Sequence, residues 1–175
     1  MRKIANSELN RPTKEEFAGM KKIPVAVVLD NIRSSHNVGS FFRTSDAFAV
    51  ERLVLCGISA IPPDREIHKT ALGAEESVAW SYFPQTVEAL RALRAEGYTL
   101  VAVEQVEGAI ELGRMEWRRD GRYALVFGNE VFGVEQEAAD MCDMAIEIPQ
   151  AGTKHSLNVS VSGGAVLWEA FKALK

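Results

Sequence analysis

Three polar loops carry the side chains in this sequence best suited to hold a ligand and act on it. The last of them runs through Ile148-Pro149-Gln150-Ala151-Gly152-Thr153-Lys154-His155-Ser156-Leu157-Asn158. A short apolar run ends at Pro149, a glycine-containing loop follows, and Ser156-Leu157-Asn158 reads as the opening of the final helix. Polar side chains and unpaired backbone N–H groups at a helix start suit the polar end of a ligand. The other two loops are Asp30–Thr44 and Phe127–Gly133, the latter reading Phe-Gly-Asn-Glu-Val-Phe-Gly. Each follows an apolar strand, which points to a single site at one edge of a sheet.

Familiar nucleotide and hydrolase signatures do not fit these loops. Gly128 and Gly133 have the spacing of a phosphate-binding loop, but Val134-Glu135 stands where Lys-Ser/Thr is required. No G-x-G-x-x-G follows the first strand, and no G-x-S-x-G surrounds Ser156. His36, His68 and His155 are dispersed, so no metal is expected. Dehydrogenase, NTPase and hydrolase readings are all weakened.

The elements that must position the loops alternate between strand and helix. Val25–Leu29 is a continuous apolar run of buried-strand type, and Val38–Ala49 has helical spacing of Val38, Phe41, Phe42, Phe48 and Ala49. Arg52–Cys56 reads as a strand. Residues 57–77 are expected to be irregular, because Pro62-Pro63 opposes regular structure and a small-residue loop surrounds Gly73-Ala74. Val78–Phe83 is a short strand and Thr86–Glu96 a helix ended by Gly97. Leu100–Val103, Ala124–Phe127 and Ala145–Ile148 are strands, Glu135–Cys142 is a helix, and Leu157–Leu174 closes the chain as a long helix. This alternation predicts an α/β fold with a mostly parallel sheet flanked by helices.

The 175 residues suffice for one domain, and 47% hydrophobic with 25% charged residues is ordinary for a globular protein. No apolar run has the length of a signal-peptide core or a membrane span, and Cys56 and Cys142 read as reduced, buried thiols, so a cytoplasmic protein is expected. The net charge of −4 argues against a purely electrostatic nucleic-acid binder. Its distribution is uneven. Residues 1–22 carry six Lys/Arg against three Glu, and Arg114, Arg118, Arg119 and Arg122 oppose only Glu116 and Asp120. Residues 134–147 hold five carboxylates and no cation. One surface is thus suited to accept phosphates, although scattered solvated faces explain the charges equally well.

Together the three loops resemble the three motifs of the SpoU (TrmH-like) branch of the SPOUT RNA methyltransferases. Asn37-Val38-Gly39-Ser40-Phe41-Phe42-Arg43-Thr44 matches the first, Asn followed by variable positions and Arg-Thr. Leu125–Gly133 matches the second, an apolar strand before Gly-x-Glu-x-x-Gly. Ile148-Pro149 with Ser156-Leu157-Asn158-Val159-Ser160 matches the third, and His68–Ala74 looks like the family's Gly-Ala loop. The resemblance extends from about Val25 to the C-terminus.

It implies a single methyltransferase domain over residues 23–175 behind a basic segment at 1–22, with a C-terminal deep trefoil knot over about 124–175. It also implies S-adenosylmethionine as cofactor, S-adenosylhomocysteine as product, a homodimer with the site near the subunit interface, and tRNA or rRNA methylated on a ribose 2′-hydroxyl. Neither membrane nor metal is implied. Cofactor contacts carry over to Gln105, Gly128, Asn129, Gly133, Ile148, Pro149, Ser156, Leu157 and Asn158. Catalytic roles carry over to Arg43, Asn37, Glu130, Ser156 and Asn158. Arg43 acts either as the base or, since a guanidinium stays protonated, as a grip on phosphate and a stabiliser of the developing alkoxide.

Each of these residues has a structural reading beside the functional one. Arg43 suits a surface ion pair, Asn37 a turn, Ser156 a helix N-cap, and Glu130 a solvated loop. Phe41, Phe42, Phe48 and Trp168 suit the core or a dimer contact, and Ser160 to Ala165 a close helix contact. Many relatives have an N-terminal RNA-binding domain ahead of this region. Without one, substrate grip falls to the dimer surface, to residues 1–22 and to the Arg114–Arg122 cluster. A non-catalytic knotted RNA-binding module is the alternative, against which the intact set Arg43, Glu130, Ser156 and Asn158 counts.

Overall fold

The strand β1 (Ile23–Asp30) is apolar on both faces, and helices cover both. Val25, Val27 and Leu29 join one buried cluster with Phe41, Phe42, Val166 and Leu167. Ala26 and Val28 join a second with Leu90, Leu93 and Ala138. The period-two alternation of a strand thereby divides the core into two layers. The computed structural model describes residues 1–175, Asn6 by its backbone alone.

Six further strands complete one sheet: β2 (Val50–Cys56), β3 (Trp80–Phe83), β4 (Thr99–Val103), β5 (Ile110–Glu111), β6 (Tyr123–Phe127) and β7 (Met144–Glu147). Their order is β3-β2-β1-β6-β4-β7-β5, and each neighbouring pair is parallel. The expected α/β architecture with a parallel sheet is therefore present. In register, Val27 of β1 faces Leu53 of β2 on one side and Leu125 of β6 on the other. Helices α2 (Ser35–Ala47), α3 (Arg65–Ala71) and α6 (Val159–Leu174) cover the first face; α4 (Thr86–Ala95) and α5 (Gln136–Met141) cover the second.

Ahead of β1, the short helix α1 (Lys14–Gly19) starts at a capping box. The Thr13 hydroxyl accepts from Glu16 N, and the Glu16 carboxylate accepts from Thr13 N. Its Phe17 is buried, and Lys14 pairs with Glu76.

Several element boundaries depart from the sequence reading, each for a local reason. Residues 57–77 are not irregular throughout, because α3 begins directly after the two prolines. Asp64 caps it, accepting from Glu66 N at 2.7 Å and Ile67 N at 2.9 Å. The prolines oppose helix before Asp64 and leave the residues after it unaffected. Helix α2 starts at Ser35 rather than Val38, since the Ser34 hydroxyl accepts from Asn37 N. It ends at Ala47, and Ala49 turns left-handed at φ 50°. Strand β7 stops at Glu147, leaving Ile148 in the following loop. The last helix begins at Val159, with Asn158 as its cap and Ser156 and Leu157 outside it. Strand β5, only two residues long, was not anticipated.

The small-residue stretch of α6 does serve close packing at its buried position. A Cβ on Gly163 would lie 2.3 Å from Cε1 of Phe41, so α2 and α6 approach through this glycine. Ser162 instead faces a cavity described below.

Candidate functional site

Strands β4, β6 and β7 all end at the same edge of the sheet, and the loops leaving them enclose a cavity of about 530 Å³. One wall is apolar, with Val103, Ile146, Ile148 and Leu157. Gln105, Asn129, His155, Ser156 and Asn158 supply polar groups. Such a cavity lies within the roughly 300–1,000 Å³ typical of small-molecule sites. Its place beyond the carboxyl ends of parallel strands is where open α/β sheets bind ligands.

The loop after β6 is drawn into a tight turn. Asn129 and Gly133 exchange backbone hydrogen bonds of 2.9 Å in both directions. The Asn129 carboxamide oxygen accepts from Val131 N and Phe132 N, while its Nδ2 donates to Asn31 O at 2.7 Å. A Cβ on Gly128 would lie 2.0 Å from the carbonyl carbon of Gly133, so only glycine permits this closure. Gly133 itself sits at φ +71°, the left-handed region that glycine favours. Phe132 at the tip is 85% exposed.

Glu130, in the second motif segment, is bonded directly to the first. Its carboxylate accepts from Arg33 N at 2.9 Å, Ser34 N at 3.1 Å and Asn37 Nδ2 at 2.8 Å. Burial works against the charged form, yet these donors, Arg33 and Asn37 foremost, hold the carboxyl below its ordinary value. Asn37 in turn accepts from Asn158 Nδ2 at 3.2 Å. Asn158 uses its own oxygen to cap α6. Hence Asn37, Glu130 and Asn158, far apart in sequence, form one chain of hydrogen bonds at the cavity.

Among the residues singled out from sequence, Gln105, Gly128, Asn129, Glu130, Gly133, Ile148, Ser156, Leu157 and Asn158 line the cavity. Pro149 lies between lining residues without being one, and Asn37 stands behind Glu130. Ser156 remains in the loop, while Gln105 Nε2 donates to the neighbouring His155 carbonyl at 3.1 Å. Arg43 is not brought to this cavity. It is exposed on α2 and lines a separate depression of about 410 Å³ with Lys14, Asp46, Glu76 and the Leu72–Ala74 turn. Three of the four arginines in the cluster are locally compensated, since Arg114 faces Glu111, Arg118 faces Asp120 and Arg122 faces Glu51.

Two positioning carboxylates escaped the sequence reading. Asp30, fully buried at the end of β1, accepts from Glu135 N at 2.8 Å and from Thr86 and Asn31, fastening the loop after β6 to β1 and α4. Glu104 fastens the same loop to β4. Apolar flanks had pointed to a strand end in each case, but nothing local distinguishes such carboxylates from solvated ones.

A parallel α/β sheet with a ligand-sized cavity built by the loops that leave β4, β6 and β7 is the architecture of an α/β enzyme that binds a small molecule. The SpoU rRNA Methylase family matches residues 24–168, and the chain belongs to that family. It is 32% identical over 165 residues to the tRNA (guanosine(18)-2′-O)-methyltransferase of Thermus thermophilus, covering 94% of this chain and 82% of the relative. It is 30% identical to the 23S rRNA (guanosine-2′-O-)-methyltransferase RlmB of Vibrio cholerae, covering 94% of this chain and 66% of that protein. The AdoMet-bound rRNA methyltransferase of Sinorhizobium meliloti superimposes with a TM-score of 0.81 at 27% identity, covering 91% of this chain and 60% of that one.

The residues present suit S-adenosylmethionine (AdoMet). The apolar wall accommodates an adenine, the glycine turn admits close backbone approach, and the polar groups match a ribose and an amino acid. Among the described residues no group of three or more His, Cys, Asp or Glu could hold a metal ion, and no helix is long and apolar enough to cross a membrane.

Proposed function

We propose that this protein is an AdoMet-dependent RNA methyltransferase that modifies a ribose 2′-hydroxyl in tRNA or rRNA. The observation that carries this reading is the cavity lined by the second and third motif loops, with Asn37 of the first bonded to Glu130 at its edge. AdoMet supplies a methyl group on a sulfonium and departs as the neutral thioether S-adenosylhomocysteine (AdoHcy). The chain's own work is to bind, orient and exclude water, which for an in-line displacement supplies much of the acceleration. Gln105, Gly128, Asn129, Gly133, Ile148, Pro149 and the Ser156-Leu157-Asn158 loop segment would hold the cofactor. Asn37, Glu130 and Asn158 keep the walls in register, and Ser156 faces the acceptor.

Arg43 grips the RNA and stabilises the developing alkoxide while the hydroxyl's proton passes to solvent water, since its guanidinium stays charged. Its distance from the cavity within one chain favours a homodimer in which Arg43 of one copy serves the other's cavity. The exposed Val161 and Trp168 on α6 suit that contact. Residues 124–175 form the deep trefoil knot. In support, β6 enters the middle of the sheet, β7 lies outside β4, and α6 then returns to pack over β1 and α2. RNA meets the dimer surface, the 1–22 segment and the Arg114–Arg122 side, and the enzyme works in the cytoplasm.

The test is transfer of labelled methyl from AdoMet to RNA lacking the modification, with Arg43→Ala as control. Label recovered in alkali-resistant dinucleotides, whose blocked 2′-oxygen cannot attack the phosphodiester, establishes ribose methylation. Label in free bases moves the reaction to the base, and RNA binding without transfer favours the non-catalytic module.

A further inference from the structure

The residues lining the 530 Å³ cavity include Glu104, Glu130 and Glu147 but no Lys or Arg, and His155 is the only lining side chain able to carry positive charge. Glu130 is committed to three donors at the start of α2, whereas Glu104 is anchored at the cavity wall from two sides. Its Oε1 accepts from Gln105 N at 2.8 Å and its Oε2 from Val134 N at 3.0 Å. The carboxylate also lies against Gly133, where a Cβ would come within 2.3 Å of Oε2. A negative charge is therefore fixed at the wall of the cavity and cannot swing into solvent. Each oxygen retains a further lone pair for a ligand.

We propose that Glu104 makes the cavity discriminate by charge, favouring the cationic AdoMet over its neutral product AdoHcy. This rests on the AdoMet reading above. The two ligands differ by one methyl group and one positive charge, so steric contacts separate them poorly. A fixed carboxylate acts on that charge directly. At a separation of roughly 7 Å and an effective dielectric constant of ~20–40, one unit charge changes affinity by roughly tenfold to fiftyfold. The consequence is release of the product once the methyl has left, because the attraction disappears with the sulfonium.

Calorimetric titration of wild-type protein and Glu104→Gln with AdoMet and with AdoHcy tests this. The amide keeps the size of the side chain and removes its charge, while its one oxygen can accept from only one of Gln105 N and Val134 N. A loss of AdoMet affinity roughly tenfold to fiftyfold greater than any loss of AdoHcy affinity is expected from that one-charge change. A parallel loss for both ligands would make Glu104 a loop clamp only and overturn the proposal; so would no change in either. If the variant does not fold, the wild type decides, because a cavity that discriminates by this charge must bind AdoMet more tightly than AdoHcy. Equal affinities overturn the proposal. If the wild type binds neither ligand, the AdoMet reading itself fails and this inference with it.

Discussion

Glu130 accepts three hydrogen bonds from the residues that open α2, and the donors hold its carboxyl below the ordinary carboxylate range. A carboxyl with a depressed pKa in the folded state stabilises that state above its unfolded pKa, about 4.3 for Glu, and loses the contribution as pH falls through the folded value. Glu130→Gln should therefore melt below wild type at pH 7, with the gap closing under roughly pH 4. Thermal melts across pH 3–7 would expose the idea as wrong if the gap stayed constant. The thiols give a second expectation at this scale. Burial pushes both Cys56 and Cys142 up to about 12, so thiolate is scarce at pH 8. Iodoacetamide should modify neither residue until denaturant is added; mass spectrometry showing rapid native alkylation would contradict that environment.

The contact between α2 and α6 decides whether Asn37 and Asn158 meet, and it depends on the absence of a side chain at Gly163. Replacing it with Ala would gain about 1 kcal/mol of helix propensity. The new methyl would also press on the buried Phe41 ring, and overpacking of this kind costs about 1–3 kcal/mol. Gly163→Ala should lower the melting temperature and weaken AdoMet binding together; loss of neither would show that the helices have slack. Elements with strong apolar runs, β1 and β6, were legible in sequence because both of their faces are buried. Helix α3 was not, since its signal is the single cap Asp64 behind two prolines. The start of α6 was misread by two residues because Ser156 and Asn158 are both good caps, and only the contact with Asn37 selects the second. The same limit applies to the site. Motif spacing picked out two of the loops that form the cavity wall, whereas Glu104 and Asp30 acquire their roles only when distant loops close on them.

Across the molecule, the separation between Arg43 and the cavity carries the strongest prediction. In the proposed homodimer, Arg43→Ala and Asn158→Ala should each be nearly inactive. Mixed by co-expression or subunit exchange, the two variants would pair into heterodimers in which one cavity is intact and faces an intact Arg43. Recovered methyl transfer in the mixture is expected; none would show that Arg43 serves its own chain or plays no part. The strand order has a consequence for synthesis as well. Strand β6 lies between β1 and β4, so a strand made late fills a gap between two made earlier. Until Tyr123 and its successors are available, a nascent chain exposes the edges of β1 and β4, and unpaired edges invite pairing with other chains. A fragment ending at Arg122 should aggregate although it contains four of the seven strands in full and β5 besides. This protein is thus most vulnerable on the ribosome, in the interval before residues 123–127 arrive to join the two halves of its sheet.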